Sequence, residues 1–131
     1  MTAAADRTDP EYLESIFQYS FSRHGEKDFE KLKSDEQESI KETLGSFTKK
    51  TWHAVVQLPR EKGLTPERKE KSRQSTYNKV LNRASSNHRG HNLYPFHMRV
   101  PLISKKCRLF GYQCKDTFYI THIDKNHSEH R

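Results

Sequence analysis

The stretch that decides the fold is Tyr94 to His127, YPFHMRVPLISKKCRLFGYQCKDTFYITHIDKNH. Within it Phe96-His97-Met98-Arg99-Val100 alternates apolar and polar side chains, the period-2 pattern of a strand with one face in a core. Cys107 to Gln113 is a second β-rich run and Thr117 to Ile123 a third. Asp116, preceded by Cys114-Lys115, supplies turn chemistry between the last two. The third run stops at Asp124-Lys125-Asn126-His127, which cannot continue a half-buried strand. The reading is three consecutive antiparallel strands, a meander, with the rest of the chain covering one face.

Strand parity then sorts the side chains. One consistent choice buries Phe96, Met98, Val100, Leu109, Phe118 and Ile120 beneath helices. The opposite face carries His97, Arg99, Arg108, Tyr112 and Tyr119, and this face is expected to be open to solvent. Such a set suits RNA: arginine holds phosphate bidentately, tyrosine stacks on an unpaired base, and histidine moves a proton near neutral pH. An equally available reading is that these are the ordinary outward residues of a basic sheet, because parity alone does not fix a face.

Working towards the N-terminus, Arg60 to Gly90 is the least core-like part. Between Arg68 and Asn78 only Tyr77 is large and apolar, so 60–92 reads as a basic insertion or linker. Before it, Thr51 opens a helix with Trp52, Val55 and Val56 on one side, stopping at Pro59. Ser34-Asp35-Glu36-Gln37 has capping-box spacing and opens a helix presenting Ile40, Leu44 and Phe47. These two look like an antiparallel pair laid on the sheet. Arg23 to Asp28 reads as a charged loop containing Gly25, and residues 16–21, where Phe17, Tyr19 and Phe21 alternate with polar residues, read as a strand. Residues 1–9 are a polar leader. The fold expected is α+β: a small antiparallel sheet, made of an N-terminal strand and the C-terminal meander, with two or three helices on one face of a single domain spanning 1–131.

The totals are consistent with a small core. Only 31% of the 131 residues are hydrophobic and mean hydropathy is −1.09, near the range of disordered chains. Seven Phe, six Tyr and one Trp, which disordered chains lack, argue for a packed interior. The formal net charge is +7 and is polarised along the chain. Residues 1–57 hold 8 Lys/Arg against 11 Asp/Glu, a balance of about −3; residues 58–91 hold 9 against 3, about +6; residues 92–131 hold 7 against 3, about +4. A basic C-terminal half implies a polyanionic partner, nucleic acid first and an acidic protein second. Arg68, Lys69, Arg73, Lys105 and Lys106 join His97 and Tyr119 as candidate nucleic-acid contacts.

No apolar run reaches ~18 residues, so no membrane span is expected. Two cysteines, Cys107 and Cys114, are too few for a secreted disulfide scaffold, and the chain reads as cytoplasmic with free thiols. Eight histidines invite a metal reading, yet His88 and His91 fall in a loop and no ligand set has the spacing of a metal site, so neither metal nor cofactor is expected. Gly111 within a strand marks a bulge or the close approach of a ligand, the bulge preferred.

The order strand, two helices, three-strand meander resembles the RelE/ParE toxin superfamily. The likeness rests on Met98-Arg99-Val100, Arg108-Leu109-Phe110-Gly111-Tyr112, Thr117-Phe118-Tyr119-Ile120 and a polar end with histidines, and covers roughly 16–58 and 94–127. The segment from Cys107 to His127 also resembles the tail of small uncharacterised bacterial and phage-associated proteins, with R-x-x-G-[YF], F-Y-I and D-x-N-H in that order. The basic segment 60–90 has no counterpart in the minimal fold, and the end lacks that superfamily's frequent Arg-x-x-x-Tyr. The resemblance implies a toxin of a toxin–antitoxin or phage-defence system acting on RNA, including ribosome-bound mRNA, without metal, and held by an acidic antitoxin. It implies Arg99, Arg108, Tyr112 and His127 as catalytic positions; His122 joins them as a second candidate acid or base. The alternative is a non-catalytic basic module that binds nucleic acid, a gyrase-type target or an acidic protein.

Overall fold

In the structure, a computed structural model that describes residues 8–67, 76–102 and 106–125, the meander forms where the alternation predicts it. In chain order the elements are β1 (Gln18–Phe21), α1 (Arg23–Glu30), α2 (Ser34–Phe47), α3 (Trp52–Val56), β2 (Leu64–Pro66), α4 (Thr76–Asn82), β3 (Tyr94–Pro101), β4 (Lys106–Cys114) and β5 (Thr117–Asp124). Short 3-10 turns lie at Pro10–Tyr12 and Ser86–His88. The five strands make one mixed sheet in the order β1-β5-β4-β3-β2. β3, β4 and β5 pair antiparallel, and β1 runs parallel to β5 with Gln18 beside Thr117 and Phe21 beside Ile120. The fold is α+β, with the N-terminal strand and C-terminal meander in one sheet and helices packed on it.

The first face is the main core. Phe96, Met98, Val100, Leu109, Phe118 and Ile120 are all buried there, against Ile40, Leu44 and Phe47 of α2 and Trp52, Val55 and Val56 of α3. Burying a side chain of this size contributes about 1.5–3 kcal/mol. Phe17 is the centre of its aromatic part, with ring centroids 5.5 Å from Phe47, 4.7 Å from Trp52 and 6.3 Å from Phe118. The Trp52 indole N–H reaches the Asp116 carbonyl at 2.6 Å, which ties α3 to the β4–β5 turn. That turn contains Lys115 at φ +58°, a left-handed conformation an L-residue adopts at some energetic cost.

Five expectations change, the first being the sheet itself, which is mixed rather than antiparallel because β1 runs parallel to β5. Residues 23–28 are not a loop but most of α1: Ser22 caps it, its Oγ accepting the Gly25 N–H at 3.2 Å. Gly25 looked like a loop signal, whereas its role is contact. A Cβ there would sit 2.0 Å from the Ile120 carbonyl oxygen, so only glycine lets this turn lie on β5. α2 starts one residue earlier than the Ser34 cap implies, with the Lys33 backbone N–H held by the Glu36 carboxylate at 2.9 Å. The segment read as an insertion contributes to the body of the fold: β2 pairs antiparallel with β3, its proline tolerated on an edge strand, and α4 lies on the second face. Of the leader, Thr8 is buried and the Asp9 N–H is bound by the Gln113 side chain.

Gly111 sits at a bulge, as the pattern predicts: the β4–β5 register shifts between Phe110 and Gly111. The strands also approach closely here, since a Cβ on Gly111 would lie 2.2 Å from the Tyr119 carbonyl oxygen. No described helix is long and apolar enough to cross a membrane. The tightest packing claim is at α1. Gly25→Ala should destabilise the fold by about 1–3 kcal/mol through overpacking against backbone, read as a lower urea midpoint; an unchanged midpoint would show that α1 does not press on β5.

Candidate nucleic-acid interface

The second sheet face is where sequence places five of the candidates, and His122, which simple alternation from Phe118 and Ile120 puts on the core side, joins them because the β4–β5 register shifts at the bulge between Phe110 and Gly111. Arg99 lies directly opposite Arg108, His97 opposite Phe110, and Phe110 in turn opposite His122. Tyr112 lies opposite Tyr119. All seven therefore share one face, arranged in rows across β3, β4 and β5.

That face is not open along its length. Val80 of α4 and Ala84 just after it pack on Phe110, Tyr112 and Cys114 to make a second, smaller core. Tyr112 and Phe110 are 0% exposed and His122 3%. The expectation of a wet sheet face is corrected for two of its residues, Tyr112 and His97, and His122 is buried beside them. Tyr112 cannot stack on a base: its hydroxyl accepts the Ser85 N–H at 3.2 Å and lies 2.8 Å from His88 Nδ1. His97 is buried and bound through Nδ1 to the carboxylate of Glu67, also buried. His122 stacks flat on Phe110, with centroids 4.7 Å apart and 6° between planes, and its Nδ1 meets the Thr121 hydroxyl. The physical reason is the segment 76–84, whose two apolar anchors, Val80 and Ala84, are four apart on one helical side. Among so many charges they leave a weak amphipathic signal.

Burial disables His122 as a neutral-pH acid or base. Its pKa is pushed down to about 3, first by burial and then by the charges of Arg83 and Lys79. Tyr112 moves the other way: burial raises its phenol above the ordinary value.

What remains accessible lies at the two ends of the face. At the β3–β4 end, Arg99 and Arg108 are half-buried and side by side. Like charges directly opposite each other in a sheet repel. Burial, with the charges of Arg60 and Arg108, lowers the Arg99 pKa, while Glu61 opposes the shift. Among the described residues none of Arg60, Arg99 and Arg108 forms an ion pair, and the buried Arg108 Nε has no hydrogen-bond partner. Arg60 is the member sequence reasoning missed. It precedes a three-residue edge strand that no periodicity announces, and only the pairing of β2 with β3 brings it near Arg99. On its other side Arg99 borders a groove of about 510 Å³ that also holds Lys62, Glu42 and Glu61, so charge there is balanced.

Tyr119, at the opposite end, is partly exposed beside His88, with ring centroids 4.4 Å apart. Arg68, Lys69, Arg73, Lys105 and His127 lie outside the described residues, and Lys106 is the first residue of β4. The structure thus brings Arg99 and Arg108 together and separates them from Tyr112 by four residues of β4, about 13 Å at strand rise. Among the described residues no cluster of three or more His, Cys, Asp or Glu could hold a metal ion.

No family model, no curated protein and no solved structure matches this chain.

The buried imidazole has a measurable consequence. His122 is neutral in the fold down to about pH 3 but takes up a proton near 6.5 when unfolded. The unfolded state therefore binds more protons between those values, and stability is full above pH 6.5 and declines as pH falls towards 3, by up to about 1.4 kcal/mol per pH unit. The Glu36 carboxylate, whose pKa is lowered by the Lys33 N–H and by Lys125, adds its own loss only below its ordinary value of 4.5. Urea midpoints at pH 7 and pH 5 isolate the histidine: His122→Phe should flatten the difference, and an undiminished slope would place the titrating group elsewhere.

Proposed function

We propose that this chain is a RelE-like toxin that acts on RNA in the cytoplasm, as a metal-independent endoribonuclease restrained by an acidic protein partner. One observation carries the reading. Three arginines gather at one end of the sheet, two of them directly opposite, without a paired carboxylate among the described residues. Holding guanidiniums together costs energy that a bound phosphate returns, and a bidentate fork fits its oxygens. The net charge of +7 and the α+β meander with helices on its first face are in keeping with this reading.

In the reaction, an RNA 2′-hydroxyl attacks the adjacent phosphorus while a base takes its proton. The P–O5′ bond breaks, and an acid protonates the departing oxygen. Arg99 and Arg108 stabilise charge growing on the non-bridging oxygens. Tyr112 and His122 drop out of this machinery because they are buried. His127 is the remaining proton carrier among the sequence candidates.

A second reading, a non-catalytic binder of RNA, is favoured by that same loss of two catalytic candidates. Cleavage of single-stranded RNA in the presence of EDTA separates the two. Arg108→Ala is expected to lower the rate by about 10²–10³, the range for removing one transition-state donor. It should leave the urea midpoint near wild type. Cleavage at the wild-type rate by this variant would defeat the assignment. RNA binding that weakens steeply with salt, without cleavage by the wild type, would establish the second reading instead.

A further inference from the structure

The end of the sheet away from Arg99 and Arg108 holds a cleft of about 550 Å³. One wall is the start of α1, with Arg23 and His24. The other is the segment after α4, with Arg83 and His88. Tyr112 and Tyr119 form the floor. No carboxylate lines it, and among the described residues neither arginine forms an ion pair. Two guanidiniums and two imidazoles lining one half-open cleft make it a seat for an anion.

The donors are held in place. Arg83 is steadied by the Thr121 carbonyl at 3.4 Å from Nη1. Arg23 and His24 open a helix whose first turn is fixed on β5 by Gly25, and their backbone N–H groups precede the first intrahelical donor, the Glu26 N–H bound to the Ser22 carbonyl. His88 is set by Tyr112. The phenol oxygen accepts the Ser85 N–H, and its own hydrogen has His88 Nδ1 as its acceptor among the described hydrogen bonds. In the tautomer in which Nδ1 accepts that hydrogen, Nε2 on the far side of the ring is the donor. Burial, with the charges of His91 and Lys115, lowers the His88 pKa, so the ring stays neutral at pH 7 and keeps this arrangement. Beside these donors lie stacked aromatic rings: Tyr119 is 5.4 Å from Tyr112 at 21° and 4.4 Å from His88.

We propose that this cleft binds a nucleotide by its phosphate, with Arg23, Arg83 and His88 Nε2 on the phosphate oxygens and the base against the Tyr119–His88 aromatic wall. The ligand chemistry is a phosphate monoester joined to a planar base, supplied either by a free mononucleotide or by the phosphorylated end of an RNA strand. The site stands apart from the arginine cluster and does not depend on RNA cleavage there.

Titration calorimetry on the full chain tests it with adenosine 5′-monophosphate, adenosine, and one tetranucleotide with and without a 5′-phosphate. The monophosphate should bind and adenosine should not. Arg23→Ala, at an exposed side chain, and Arg83→Lys should each weaken binding at least tenfold. Lys49→Ala, exposed and outside both sites, should leave it unchanged. Binding of the monophosphate supports a free-nucleotide site; binding confined to the 5′-phosphorylated tetranucleotide supports a strand-end site. Failure of both phosphorylated probes, or equal affinity for adenosine and its monophosphate, or unchanged affinity in both cleft variants, overturns the proposal. RNA cleavage by Arg99 and Arg108 variants is a separate readout, so the two proposals fail independently.

Discussion

β4 is the constraint on which the rest depends. It is hydrogen-bonded on both sides and covered on both faces, so each of its residues has to satisfy a buried environment. Its pleat sends Cys107 and Leu109 into the larger core and Phe110 and Tyr112 into the smaller one. A polar group on such a strand needs a partner in the protein. Tyr112 meets that demand through Ser85 and His88, and Gln113 through Asp9 and Lys115. The segments that supply those partners, the stretch before β1 and the loop after α4, are thereby tied to the sheet centre.

The same constraint divides the second face into three zones. In the middle, α4 excludes water and the two histidines are absorbed into structure, one bonded to Glu67 and one stacked on Phe110. At either end the cover stops and cationic groups reach solvent. Among the described residues, Arg99 and Arg108 at one end and the cleft floored by Tyr112 at the other are about 13 Å apart along β4.

Sequence made the larger core legible because both of its layers are periodic. Alternation in 96–100 and 117–120 and the spacing of Ile40, Leu44 and Phe47 each identify residues of this core, whereas past Ile120 the bulge breaks the alternation and both Thr121 and His122 are buried. The smaller core was hidden because its cover has two modest apolar contacts, Val80 and Ala84, in a segment dominated by charge. Parity correctly put His97, Arg99, Arg108, Tyr112 and Tyr119 on one face; it could not report that segments distant in the chain would bury His97 and Tyr112 while leaving the other three partly exposed. α1 was obscured for a different reason. Its glycine carries no side-chain signal, and the contact that requires it, the Ile120 carbonyl, is 95 residues away in the chain.

That glycine contact also fixes how the cleft can respond to an occupant. Helix backbone rests directly on strand backbone at Gly25, and Phe29 of the same helix packs on Phe21, so the wall bearing Arg23 is braced at two points. The opposite bank, Ser85 to His88, is joined to the sheet through the Tyr112 phenol and its own turn hydrogen bonds. The two banks are anchored unequally, one by main-chain contact and packed rings, the other through hydrogen bonds to a single phenol.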